Sequence, residues 1–491
     1  MITFNRKRTN KILIVFTLML IAILPLYAQS EDELFNDEEI VTQVENADAS
    51  NAINAFLVSD KVRIGGTFYG SVTLAEQINN PWENGFTLFT PDTHSMTTNL
   101  QSLLFFDARP EANRRYYLSL KVLWPYYTET KVLTDAQYIP AQPPLVPDGD
   151  IKTQSTSIAM PQIKLFELFA DFTYQDMLFF RFGKQTVTWG VGYFWRPADV
   201  INLEAIDPLN PEVQREGPVT VRVTFPVPGI HSSVVAYGIV TPNQTTFEET
   251  AGAASASLLL GNWELTIGGY YQKDRPLRGM ITAKGSIGSI ELFGEGTLAH
   301  GSERTWITDI SPTLASSGFI ATREDTTSPF FKGTAGFLYQ NSEYNISIIG
   351  QYLFDGEGYT NDERTALIQK AHDNESAIKN LLALSGADSD AVFSNLLKAL
   401  IYNSGMHYAA LSINFSKIVT NRIGFSLFTL ANLSDWSGFI RTQLSWNPFS
   451  GFTMNGGAQF MFGNEDSEYI VRNDGPAVKI FLTLTLGSGS F

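Results

Sequence analysis

Cysteine is absent from the chain, and histidine is rare, with five residues scattered over 491 positions. The lack of cysteine excludes a disulfide scaffold, a lipid-modified N-terminal cysteine and any thiolate nucleophile or metal–thiolate site. The histidines have no metal-site spacing, and no G-x-S-x-G, Walker A or dinucleotide-binding glycine motif occurs. We therefore predict no catalytic residues, no metal ligands and no cofactor, and expect that the protein is not an enzyme.

Basic residues are also scarce, with 34 Lys and Arg against 50 Asp and Glu, a formal charge of −16. Such an acidic balance argues against a nucleic-acid partner. Four basic residues precede an apolar run at 12–24 and the small residue Ala28. This layout predicts a secretory signal peptide over 1–28, because the run is shorter than the roughly 20 residues of a helical membrane anchor. The acidic segment 29–60 is predicted to be a periplasmic lead-in.

After the signal peptide there is no apolar run long enough for a transmembrane helix, so a helical membrane bundle is excluded. The chain is instead rich in strand and turn residues, with 35 Phe, 19 Tyr and 38 Gly. Apolar and polar residues alternate with period two in several segments, including 62–74, 219–225, 290–298 and 344–354. This pattern is typical of transmembrane β-barrels with a wet lumen, although soluble β-sandwiches alternate as well.

Connection lengths favour the barrel over the sandwich. Eighteen strands are predicted after residue 60, and long connections alternate with tight turns along the chain; the long ones are 76–97, 128–161, 190–216, 241–252, 300–330, 356–404 and 463–475. Long loops on one side and short turns on the other are typical of outer-membrane barrels. We predict a closed antiparallel transmembrane β-barrel of about 18 strands (16–20) over 61–491, in a bacterial outer membrane. Its expected partners are the lipid bilayer, small solutes and the barrel assembly machinery, and a homo-oligomer is left open.

Residues 361–402 interrupt the strand pattern. The sequence from Thr360 to Glu363 fits a helix capping box, and apolar residues recur on one helical face from Phe393 to Ile401. We predict a two-helix insert in an extracellular loop. It could pack on neighbouring loops, fold over the lumen as a lid, or present a surface to an external partner.

The segment GKQTVTWG, from Gly183 to Gly190, begins as a strand and leads into a loop rich in proline, asparagine and aromatic residues. This motif resembles one found in porin-like bacterial outer-membrane barrels. It covers about 30 residues, and no particular solute follows from the resemblance. Trp189 is expected near the membrane interface, as are Trp436 and Trp446 at other strand ends. The loop 190–216 is either a rigid loop closed by Arg–Asp pairing or a constriction folded into the lumen; catalysis is the remaining alternative.

Candidate pore-lining residues follow from strand phase and from this loop. A charge on the lipid face near the membrane midplane would cost about 2–4 kcal/mol, so charged residues opposite an apolar face are expected to point inward. Such residues could form a structural ion-pair lattice or the lining of a pore. The candidates are Arg63, Arg181, Gln185, Arg222, Glu291 and Glu295 on strands, with Arg196, Asp199, Glu204 and Asp207 in the loop.

The function predicted from these features is a porin-like channel for passive diffusion of small hydrophilic solutes. Inward-folded loops and lumen charges would set its selectivity. One alternative is a gated transporter for a specific or hydrophobic ligand, with a loop or the N-terminal segment as a plug. The other alternative is a surface adhesin or structural barrel.

Overall fold

The chain folds into a closed barrel of 18 antiparallel strands, seen in a computed structural model. The structure describes residues 61–81, 94–124, 162–202, 206–208, 211, 215–240, 246–313, 319–384, 388–418, 420–471 and 475–487. The predicted signal peptide and lead-in lie outside the described residues, as does Glu204.

The strands alternate in direction around the ring, and β1 pairs with both β2 and β20, which closes the sheet. They are β1 (Val62–Asn79), β2 (His94–Glu111), β3 (Arg114–Trp124), β4 (Gln162–Tyr174), β5 (Leu178–Lys184), β6 (Val219–Val227), β7 (Ser232–Val240), β8 (Ala251–Leu260), β9 (Trp263–Tyr271), β10 (Leu277–Ile287), β11 (Ile290–His300), β14 (Pro329–Asn341), β15 (Ile346–Asp355), β16 (His407–Phe415), β17 (Ile423–Asn432), β18 (Ser437–Phe449), β19 (Phe452–Phe462) and β20 (Ala477–Leu486). The predicted count of eighteen is confirmed. Two further strands, β12 (Thr305–Ile310) and β13 (Ile320–Glu324), form a separate hairpin between β11 and β14.

The two faces of the barrel wall differ in chemistry. Large apolar side chains are exposed on the outward face, for example Phe182 at 58%, Ile267 at 61% and Leu298 at 56%. The opposite phase of the same strands carries polar and charged residues, such as Arg181 and Glu295. An apolar outer surface around a polar interior is the arrangement of a barrel that sits in lipid.

Long connections on one side of the barrel and short turns on the other follow the predicted pattern, except that the connections 272–276 and 433–436 on the long side have only five and four residues. The short side includes two-residue turns at 112–113, 261–262, 288–289 and 450–451. The turn between β2 and β3 is short because β2 continues to Glu111 through a bulge opposite β3. Trp436, in the connection between β17 and β18, and Trp446, on the outward phase near the end of β18, are both exposed, and their place at the membrane interface stays a prediction.

The insert between β15 and β16 contains three helices rather than the two predicted. These are α1 (Asn361–Asp373), α2 (Glu375–Leu384) and α3 (Ser389–Ile401), and the Thr360–Glu363 capping box is present at the start of α1. No described helix is both long and apolar enough to cross a membrane.

The helices share a hydrophobic core with the β12–β13 hairpin, which sequence analysis missed. Ile310 and Ile320 of the hairpin pack with Ile378 and Leu400 of the helices, and all four are buried. The insert therefore packs on a neighbouring loop, one of the three arrangements considered from sequence. A buried ion pair from Arg364 of α1 to Asp435, at 2.8 Å, also ties it to the β17–β18 connection.

Candidate functional site: a loop folded inside the barrel

The connection from β5 to β6, residues 185–218, leaves the wall earlier than the sequence predicts. The expected strand runs to Trp189, but β5 ends at Lys184. Gly183 has a φ of 130°, and a Cβ there would lie 2.1 Å from the carbonyl oxygen of Leu168. Only glycine fits this close approach of two backbones, so the position favours a bend of the chain away from the sheet.

We call the whole connection 185–218 the inner loop from here on. Its first residues are buried in the barrel. The Gln185 backbone N–H still donates to Pro218 at 3.2 Å, and its side-chain amide donates to Thr220 at 2.5 Å. The Gln185 side chain is fully buried, and its Oε1 has no hydrogen-bond partner among the described residues. Gln185 therefore connects the inner loop to the wall by hydrogen bonds and is not exposed to the pore.

Trp189 lies inside the barrel, and its predicted place at the membrane interface is wrong. It is 5% exposed, its indole N–H donates to Ser255 of β8 at 3.3 Å, and its ring meets the edge of Tyr237 of β7. Both partners are on the inward phase of their strands. The expectation failed because the chain leaves the sheet after Lys184, five residues before the tryptophan that seemed to end the strand.

Glu295 of β11 is the first major anchor of the inner loop. Its carboxylate accepts hydrogen bonds from the backbone N–H groups of Val191, Gly192 and Ala198, the last two at 3.3 and 3.2 Å. Gly190 has a φ of 85°, and a Cβ there would lie 2.6 Å from Glu295 Oε2. A charged acceptor with three backbone donors makes strong hydrogen bonds, so Glu295 positions the loop.

Gln351 of β15 is the second anchor. Its Oε1 accepts from the backbone N–H groups of Tyr193 and Phe194 at 3.0 and 2.7 Å. Its Nε2 donates to the carbonyl of Trp195 and to the hydroxyl of Thr334, both at 2.7 Å. One buried amide thus satisfies three consecutive loop residues and fixes their backbone against the wall.

The tip of the inner loop reaches the far side of the barrel. Phe194 lies 5.4 Å from Phe428 of β17, and Trp195 lies 6.3 Å from Tyr408 of β16, measured between ring centroids. Along the ring of strands, β17 is eight strands from β5 in one direction and ten in the other. A loop that starts at β5 and contacts β17 therefore spans the lumen.

The base of the inner loop is closed by a buried ion pair. Asp199, with a side chain that is 1% exposed, pairs with Arg215. Asn202 links Asp199 to Val187, because its side-chain amide accepts from the Val187 N–H at 3.1 Å and donates to Asp199 at 2.9 Å. The Arg–Asp pairing considered from sequence for this loop is thus present, and its arginine is Arg215. Arg196 instead donates to the carbonyl of Gly192 at 2.5 Å.

The structure brings together one group of predicted site residues at the inner loop: Gln185, Arg196, Asp199, Glu291 and Glu295. Glu291 of β11 accepts from the Tyr193 hydroxyl at 3.1 Å and pairs with Lys284 at 3.0 Å. Asp207 is also in the loop but is exposed. Constriction by these residues stays a prediction.

A second group of predicted residues lies near the short-turn end of the barrel. Arg181 and Arg222 are register partners on β5 and β6, and Arg63 faces Asp107 across β1 and β2. Arg181 binds Asp171 in a bidentate contact at 2.6 and 2.9 Å. The candidates therefore form two separate groups, one holding the inner loop and one near the short turns.

Sequence reasoning missed Gln351, Arg215 and Asn202 as site residues. Gln351 was visible as a polar residue on the inward phase of β15. Asn202 was a position of the porin-like motif without a role of its own, and Arg215 carried no signal, because the partners of both become neighbours only when the loop folds back. The described residues contain no group of three or more His, Asp or Glu side chains that could hold a metal ion.

No protein-family model matches the sequence, and no curated protein matches it. Among solved structures, the chain is similar to OccAB1 of Acinetobacter baumannii, with a TM-score of 0.45 and 10% identity over 86% of this chain and 96% of that chain. It is also similar to OccK8 (OprE) of Pseudomonas aeruginosa, with a TM-score of 0.42 and 8% identity over 87% and 98%. A triple mutant of the Rhodopseudomonas blastica porin gives a TM-score of 0.38 and 8% identity over 87% and 99%. Identities and TM-scores at this level establish neither a family nor a function.

Proposed function

We propose that the protein is a channel of the bacterial outer membrane through which small hydrophilic solutes diffuse passively. The observation that carries this proposal is the inner loop, which crosses a polar barrel interior and is hydrogen-bonded to inward residues of the wall. An 18-strand barrel is wide enough for an aqueous passage, and a loop inside it narrows that passage. The apolar outer face supports insertion in a lipid bilayer.

The free part of the lumen lies beside β1, β2 and β3 in this proposal. The inner loop is hydrogen-bonded to β8, β11 and β15, and β11 lies nine strands from β2 in both directions around the ring. The inward side chains of the free side include Asp107 and Arg115, which form an ion pair at 2.7 Å. Solutes would therefore pass between the inner loop and this charged part of the wall.

The anchoring of the inner loop favours a permanent constriction over a movable gate. Glu295 and Gln351 together accept or donate six hydrogen bonds with loop backbone atoms. The base is held as well, by the buried Asp199–Arg215 pair. Opening such a loop would leave buried backbone N–H groups without partners, at about 1–3 kcal/mol each.

Single-channel recording in planar lipid bilayers tests this function. Purified, folded protein is expected to give steady, ohmic current steps in KCl without any added ligand. A variant in which residues 188–213 are replaced by a short Gly-Ser turn should give larger steps, with heat-modifiable migration on gels as the control for folding. Folded wild-type protein that inserts into the bilayer and carries no current would refute the proposal.

A further inference from the structure

An excess of positive charge surrounds a cavity at the short-turn end of the barrel. The cavity has a volume of about 760 Å³, and six of its lining side chains are Lys or Arg while only two are acidic. The whole chain, in contrast, has a formal charge of −16. We define the short-turn cluster as five basic residues that line the cavity together with Arg63, which is outside the lining and faces Asp107 in register: Lys61, Arg63, Arg109, Arg115, Arg181 and Arg222.

The acids in this region neutralise only part of the cluster. Asp107 is shared by Arg115 at 2.7 Å and Arg109 at 3.3 Å. Asp171 is shared by Arg181 at 2.6 Å and by Arg115 at 3.8 Å. Two carboxylates thus hold three guanidinium groups, which leaves a net positive charge before any other cation is considered.

Two further arginines form no ion pair with an acidic residue of the described ranges, although Arg63 faces Asp107 in register. Arg222 donates to the Thr224 hydroxyl at 3.2 Å and lies 5.9 Å from the ring centroid of Tyr237. Its neighbour in register is Arg181, another cation. Arg63 makes no hydrogen bond or ion pair with any residue in the described part of the chain, and its side chain is exposed to the lumen. Both have guanidinium donors free for a ligand.

We infer that the short-turn cluster is a binding site for multivalent oxyanions, with phosphate or carboxylate groups bound by Arg222 beside the Arg–Asp network and attracted by the positive charge of Arg63 on β1. Guanidinium groups bind such anions through paired N–H donors, and a cleft lined by one sign of charge raises the local concentration of the opposite ion. The inference rests on the proposed channel function and adds a class of solute that the channel retains at one end.

Sidedness is the distinctive consequence of this site. The cluster is at the short-turn end, whereas the inner loop and the helices α1 to α3 are associated with long connections. A multivalent anion added on the short-turn side reaches the cluster without passing the inner loop. Block of current should therefore need less anion from that side than from the other.

The test measures block of single-channel current by inorganic pyrophosphate in 0.1 M KCl, added to each side in turn. The folded helical insert is too bulky to cross the bilayer, so the side of protein addition sets the orientation. Half-block is expected at a lower concentration from the short-turn side, and Arg222→Ala and Arg63→Ala should each raise that concentration about tenfold. Neither substitution breaks an ion pair within the described part of the chain, so both variants should fold. The matched control is Lys479→Ala, which removes an inward cation of β20 and should change half-block by less than twofold.

Equal block from both sides, or block unchanged in the two arginine variants, would overturn the inferred site while leaving the channel intact. If folded wild-type protein carries no current, the channel proposal fails, and calorimetric titration of pyrophosphate into the detergent-solubilised variants decides the site. Binding that is weakened in the Arg222→Ala and Arg63→Ala variants but kept in Lys479→Ala supports the site. Binding that is absent from the wild type, or equal in all four proteins, rejects it.

Discussion

Removing the carboxylate of Glu295 should loosen the inner loop and raise the conductance of the channel. In Glu295→Ala, the backbone N–H groups of Val191, Gly192 and Ala198 lose their shared acceptor. A hydrogen bond to a charged group contributes about 1.5–3 kcal/mol, and water in the lumen replaces part of it, so we expect about 3 kcal/mol of lost anchoring rather than the full sum. That change corresponds to a shift of roughly 150-fold toward detached positions of the loop.

The assay is single-channel recording under the same salt conditions for three proteins. Glu295→Ala should show larger current steps and more open-channel noise than the wild type. Glu264→Ala removes another inward carboxylate, on β9, that makes no hydrogen bond or ion pair among the described residues. It should leave the steps close to those of the wild type. If Glu295→Ala folds and its steps and noise match those of both other proteins, Glu295 does not position a constricting loop.

Three further predictions concern the wall and the helical insert. Ile267→Arg on the outward face of β9 should destabilise the barrel in lipid by about 2–4 kcal/mol, whereas Thr266→Arg on the inward face should cost less, measured by urea unfolding in vesicles. Arg364→Ala breaks the buried pair with Asp435 and should cost about 3–5 kcal/mol; faster proteolysis of the insert is expected, and an unchanged rate would contradict this. Hydrogen bonds from the Thr360 backbone and side chain hold the pKa of Glu363 below its ordinary value. The capping box therefore stabilises α1 fully at a pH above the ordinary pKa of glutamate, and this stabilisation is lost as the pH falls through the lowered pKa of Glu363. The helical circular dichroism signal of the wild type should decrease in that acidic range. If the signal of Glu363→Gln decreases by the same amount, the capping box is not the cause of the decrease.

The architecture of the wall could be predicted from the sequence because strand periodicity is a local signal. Alternation placed Arg63, Arg181, Arg222 and Glu295 on the inward face, and the register of the strands agrees for each of them. The count of strands followed from turn residues and connection lengths. These features depend on neighbours within about ten residues, which a single sequence displays directly.

The path of the inner loop could not be predicted in the same way. Its position depends on contacts such as Val191 with Glu295, which are 104 residues apart, and Phe194 with Gln351, which are 157 apart. Trp189 illustrates the failure, because a tryptophan at a strand end is equally consistent with a membrane interface and with a buried turn. The β12–β13 hairpin was missed because its strands have only six and five residues inside a long connection.

A crosslink between the inner loop and the wall tests the central claim most directly. The chain has no cysteine, so Ala198→Cys with Thr297→Cys introduces a single pair, beside the contact in which Thr297 donates to the Pro197 carbonyl at 2.9 Å. If the loop crosses the lumen as described, the disulfide should form on oxidation in intact outer membranes, and the oxidised channel should conduct with steps close to those of the wild type. Failure of the pair to oxidise in folded protein, while a pair placed between register partners of β10 and β11 does oxidise, would contradict the loop inside the barrel.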